Sequence, residues 1–80
     1  MSERFPAVTY RDILKVAKKL GWYFCRQAKG DHEIWRCDEN NRYTTIPNHG
    51  KKILKRKTTK AILDDLQISA KEFIKLKKGK

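Results

Sequence analysis

Negative charge is scarce in this chain: 9 Asp and Glu stand against 20 Lys and Arg, a formal charge of +11 over 80 residues. A surface so short of carboxylates should attract phosphate backbones at a distance, which points to nucleic acid. A plain solubility surface, or a basic protein held by an acidic partner, are the alternatives. Long apolar runs are missing as well. Met1 to Val8 holds none of signal-peptide length and no segment approaches a membrane span, so the chain is expected to be cytosolic and free of membrane. Cysteine is limited to Cys25 and Cys37, and neither a CxxC nor an HxxxH pair occurs. In a cytosolic chain Cys25 and Cys37 are expected to be reduced thiols on neighbouring strands, without a redox role, and a zinc site built from Cys25, His32, Cys37 and His49 has no spacing to support it. Internal repeats and linkers are absent, and the length falls short of a second core, so residues 1–80 should form one domain.

What is present alternates between helical and strand patterns. Residues 1–8 read as a lead-in, with Pro6 just outside the first helix. Thr9 is a good N-cap, and Asp12 three residues on completes a capping box with a shorter acid. From Tyr10 to Leu20, the residues Ile13, Leu14, Ala17 and Leu20 make one apolar stripe, while Lys15, Lys18 and Lys19 take the outer face. Gly21 is the expected left-handed stop. Trp22 to Gln27 reads as a strand, although its aromatics fall on both parities and leave its buried face open. Ala28 to Asp31 is a turn, His32 to Cys37 a second strand, and Asp38 to Asn41 a hairpin loop. Arg42 to Ile46 returns as a third strand that Pro47 ends.

Asn48 to Lys57 reads as a basic loop, and Thr58 or Thr59 should cap a second helix with Ile62, Leu63 and Leu66 facing inward. Ser69-Ala70-Lys71-Glu72 is a complete capping box for a last short helix carrying Phe73, Ile74 and Leu76, and 77–80 should fray. The expected fold is α+β: a three-stranded antiparallel sheet with helices on one face, in the order α-β-β-β-α with a short further helix.

The stretch Lys29-Gly30-Asp31-His32-Glu33 sets a histidine where a turn hands over to a strand, beside a glycine that lets a ligand approach closely. If the strand has already begun, Asp31 and Glu33 share one face and His32 takes the other, so the three do not converge on a metal ion. Imidazole, with a reference pKa of about 6.5, can take a proton from a ribose 2′-hydroxyl or give one to a leaving 5′-oxygen. Lysines nearby would stabilise the charge that develops on phosphorus. The plain alternative is a surface or hydrogen-bonded histidine. In Ile46-Pro47-Asn48-His49-Gly50, His49 reads first as a turn histidine, and second as a phosphate contact or another proton-transfer group. The run Lys51, Lys52, Lys55, Arg56, Lys57, Lys60 leads into a helix N-terminus, where free N–H groups and the macrodipole favour an anion; a solvated loop is the alternative.

Taken in order, Lys29-Gly30-Asp31-His32, Ile46-Pro47-Asn48-His49, Lys55-Arg56-Lys57-Thr58 before Ile62-Leu63, and Ile68-Ser69 with Phe73 resemble the HicA (YcfA-like) toxins. Ile13-Leu14, Leu20-Gly21-Trp22 and Arg26-Gln27 fit as well, so the likeness covers roughly Tyr10 to Leu76. That resemblance implies a double-stranded-RNA-binding-domain-like fold and an mRNA interferase of a type II toxin–antitoxin pair. It implies ribosome-independent cleavage without a metal or other cofactor, and neutralisation by a HicB-type antitoxin. The family's catalytic histidine carries over to His32, and its Pro-x-His to Pro47 and His49. Three positions depart from the pattern: Asp31 stands where serine is usual, Lys57 where glycine precedes the threonine, and Gln67 where a glycine separates the last helices.

The implied chemistry is attack of the substrate's own 2′-hydroxyl, with His32 as base or acid and a 2′,3′-cyclic phosphate as product. Lys29, Gly30, His49, Lys51, Lys52, Lys55 and Lys60 are the candidates to hold RNA. Water, His49 or a lysine must serve the second proton transfer. A non-cleaving RNA-binding module of the same fold is the competing expectation.

Overall fold

The computed structural model describes residues 7–79, so most of the lead-in, Pro6 included, and the end of the tail at Lys80 lie outside the described residues. Helix α1 spans Tyr10–Lys19 and begins as the sequence dictates. The Asp12 N–H donates to the Thr9 hydroxyl at 3.3 Å, and the Thr9 N–H donates back to the Asp12 carboxylate at 3.1 Å. Burial works against ionisation of Asp12, but the Thr9 N–H and the Lys77 ammonium 3.4 Å away outweigh it and hold the carboxyl below its usual range. At the other end Gly21 takes φ +91°, and the Trp22 and Gly21 N–H groups donate to Ala17 and Lys18 carbonyls, a Schellman closure. Ile13, Val16 and Ala17 are buried, with Leu14 and Leu20 packed half-buried beside them.

Strands β1 (Tyr23–Gln27), β2 (His32–Cys37) and β3 (Arg42–Pro47) form one antiparallel sheet in the order β1-β2-β3. β1 carries a register shift between Phe24 and Arg26, which leaves Cys25 as the extra residue. Its aromatics, Trp22, Tyr23 and Phe24, all precede the bulge; Trp22 is buried just ahead of the strand, while Tyr23 and Phe24 stay exposed. Along β2 the alternation is regular: Glu33, Trp35 and Cys37 are buried under the helices, with Thr44 and Ile46 of β3 beside them. The opposite face stays open, and there Arg36 stacks over Tyr43 at 4.7 Å while bonding Asp38 at 2.8 Å. Pro47, expected just past β3, is its last residue and pairs with His32.

Helices α2 (Arg56–Leu66) and α3 (Ala70–Lys78) complete the layer on the buried face. Their Ile62, Leu63, Leu66 and Phe73 join Val8, Ile13, Trp22, Trp35 and Ile46 in one core. This is the α+β architecture expected, with α-β-β-β-α-α order. Three boundaries differ from expectation. α2 starts at Arg56, with Lys55 as an N-cap that makes no side-chain bond, because Thr59 is buried in the core and cannot serve as a cap. The expected frayed tail is helical through Lys78: the Lys19 ammonium donates to the Leu76 and Gly79 carbonyls at 2.7 and 2.6 Å, and Lys77 pairs with Asp12. Val8, assigned to the lead-in, is fully buried and accepts a bond from the Leu54 N–H at 2.7 Å. No helix among the described residues is long and apolar enough to cross a membrane.

Candidate active site

The turn before β2 is clamped by its neighbours. The Ala28 N–H donates to the His32 carbonyl at 2.8 Å, the His32 N–H to Lys29 at 3.3 Å, and Gly30 takes φ +66° to make the bend possible. The Gln27 amide reaches across to donate to the Gly30 and His32 carbonyls at 3.1 and 3.0 Å. His32 therefore enters the strand on its open face with a half-exposed ring. Its Nδ1 lies 3.2 Å from the Lys29 carbonyl oxygen. A carbonyl only accepts, so Nδ1 carries the proton and the lone pair resides on Nε2.

His49 is brought to the same place by Asn48. The Asn48 N–H donates to the Asp31 carbonyl at 2.9 Å, its amide donates to Glu33 at 3.3 Å, and its side-chain oxygen accepts from the Gly50 N–H at 3.2 Å. The outcome is one carboxylate between two imidazoles: Asp31 Oδ2 is 3.1 Å from His49 Nε2, and Oδ1 is 3.8 Å from His32 Nδ1. The expectation that Asp31 and Glu33 share a face is corrected here. Asp31 belongs to the turn, ahead of the strand's alternation, and stays with His32. Glu33 lies beneath the sheet, where it accepts from the Tyr10 hydroxyl at 2.7 Å and the Trp35 indole N–H at 3.0 Å. Burial, with the Glu33 carboxylate as acceptor and neighbouring charge, pushes the Tyr10 phenol up to about 12.

His32, Pro47 and His49 form one bank of a groove of about 620 Å³, and Lys55, Lys57 and Thr58 at the start of α2 form the other. Of the sequence candidates, the structure thus gathers His32, His49 and Lys55. Lys29 and Gly30 act through their backbone in the turn, and Lys51 and Lys52 are exposed on the loop; none of the four lines the groove. Lys60 points elsewhere and pairs with Asp64 at 3.6 Å. Lys57 and Thr58 line the groove although neither was a candidate, since both were read as preceding or opening the helix rather than facing a site. Asn48 was also missed; its signal is the Asn-x-Gly spacing to Gly50, typical of a side chain closing its own turn. Among the described residues no group of three or more His, Cys, Asp and Glu is placed to hold a metal ion. Cys37 is buried under the sheet and cannot meet His32 on the open face.

A lone pair on a half-exposed imidazole, with a second imidazole and two ammonium groups around one groove, is an arrangement fit for proton transfer at an anionic substrate. Compared with known families, the chain matches over residues 10–68 the one described as HicA toxin of bacterial toxin-antitoxin. The matched span runs from α1 past the end of α2 and includes the whole groove. No curated protein matches the chain.

Proposed function

Because this chain belongs to the HicA toxin family, and so is a toxin with an antitoxin partner, we propose that it kills by cleaving RNA, with His32 as the catalytic base. The His32 Nε2 takes the proton from a ribose 2′-hydroxyl, the freed oxygen attacks the adjacent phosphorus, and a 2′,3′-cyclic phosphate is left behind. Lys55 and Lys57 stand across the groove to hold the phosphate and offset the charge that builds on its oxygens. The reaction needs neither a metal ion nor the ribosome, and its substrate is cytoplasmic mRNA. A HicB-type antitoxin would silence it by filling the groove.

The observation that supports this reading most is the tautomer of His32. Its Nδ1 is engaged by the Lys29 carbonyl, which leaves Nε2 as the accepting nitrogen of a ring that lines the same groove as Lys55. The test is cleavage of a transcript in magnesium-free buffer with chelator present. His32→Gln should lower the rate by ~10² to 10⁴, relieve growth arrest on expression, and leave RNA affinity unchanged. Equal toxicity of the variant would remove His32 from catalysis. Binding without any cleavage by the unmodified chain would make it an RNA-binding module.

A further inference from the structure

Cleavage by an internal hydroxyl moves a proton off the 2′-oxygen and another onto the departing 5′-oxygen, and one imidazole serves one of these at a time. The structure holds a second imidazole on the same bank of the groove. His49 Nε2 sits 3.1 Å from Asp31 Oδ2. A carboxylate accepts, so Nε2 is the donor there and Nδ1 is the nitrogen left to exchange a proton with a ligand. When Nδ1 is protonated too, the ring is a cation with Asp31 as its counter-charge at hydrogen-bond distance. His32 has a neutral carbonyl in that position, and the same carboxylate stands off at 3.8 Å. The two rings are therefore unlike: one is arranged to accept, the other to donate. Lys55, Lys57 and Asp65 are the other charged groups lining the groove that His49 faces.

We propose that His49 is the general acid of the reaction and that Asp31 is its positioning residue, an inference that rests on the ribonuclease reading above. In the balanced step the 2′-O–P bond forms as the P–O5′ bond breaks. The 2′-hydroxyl proton goes to His32 Nε2 and the His49 Nδ1 proton goes to O5′, giving a cyclic phosphate and a 5′-hydroxyl. Side chains that are 51% and 42% exposed at His32 and His49 exchange their protons with solvent and reset for the next turn.

A leaving-group substitution separates this role from a structural one. The substrates are an oligonucleotide spanning a linkage that the unmodified chain cuts, and the same oligonucleotide with sulfur replacing the bridging 5′-oxygen. Thiolate departs without protonation, so loss of a general acid matters only for the oxygen substrate. His49→Gln, which keeps an N–H donor for Asp31, should lose ~10² or more in rate on the oxygen substrate and stay within about tenfold of the unmodified chain on the sulfur one. Asp31→Asn should show the same pattern with a smaller loss, and His32→Gln should be impaired on both. Recovery on the sulfur substrate doubles as proof that the His49 and Asp31 variants are folded. Equal impairment of His49→Gln on both substrates, or no impairment on the oxygen one, overturns the assignment. A chain that cuts neither substrate before any substitution overturns the ribonuclease reading and takes this inference with it.

Discussion

Gln67 stands at the corner between α2 and α3 with φ +62° and ψ 39°. Such a conformation costs an L-residue ~1–2 kcal/mol, against about 0.5–1 kcal/mol for the extra freedom glycine loses on folding. Gln67→Gly should therefore stabilise the chain by up to about 1 kcal/mol, which for a domain of this size raises Tm by roughly 4–8 °C. A thermal melt checks it, and a fall in Tm would show that the side chain contributes more than the backbone loses. Like Lys57, Gln67 stands where the family pattern has a glycine, so the strain here was legible before any coordinates. Other single residues were not. His32 was legible as the residue at the mouth of a strand, but the partners of His49 were hidden. They depend on Asn48 meeting Asp31 and Glu33 across 15 to 17 residues of sequence, and no local pattern reports such a meeting. Asp31 was misplaced by extending the alternation of β2 one residue too early into a turn.

At the scale of the element, caps and periodicity carried most of the reading. Both capping boxes, around Thr9 and Ser69, form as their spacing requires, and the start of β2 at His32 follows from the Gly30 turn. The bulge at Cys25 and the early start of α2 were hidden, since no local pattern reports either. The first is a register shift between paired strands, and the second follows from burial of Thr59. α2 begins with no acidic residue in its first turn and with Lys55 in the N-cap, an arrangement that disfavours the helix end electrostatically. A phosphate at that end would relieve it. Lys55→Ser should stabilise the chain by about 0.5–1 kcal/mol through a proper cap, yet weaken RNA binding. Urea unfolding and filter binding measure the two effects; a variant that gains stability with no loss of RNA affinity would take Lys55 out of the grip.

For the molecule as a whole the question is what an excess of +11 serves. Only part of it lines the groove, as Lys55 and Lys57, while Lys51 and Lys52 lie exposed on the approach loop. Counterion release makes the share that touches RNA measurable, because each neutralised phosphate on a single strand adds about −0.7 to the slope of log K against log salt. Two groove lysines alone give a slope near −1.4, roughly, and recruitment of the loop pair doubles it to about −2.8. Measured in a His32→Gln background to prevent cleavage, replacement of Lys51, Lys52 and Lys55 together by Gln should make the slope shallower by about 2. Should the slope become shallower by only about 0.7, the share of Lys55, while the antitoxin complex weakens, the loop charge belongs to the protein partner, and RNA is held by the groove alone. Loss of both together would mean that antitoxin and RNA compete for one basic surface. In that case neutralisation needs no rearrangement of the toxin, since an acidic chain lying over the loop and the start of α2 would already deny the phosphates their place beside His32.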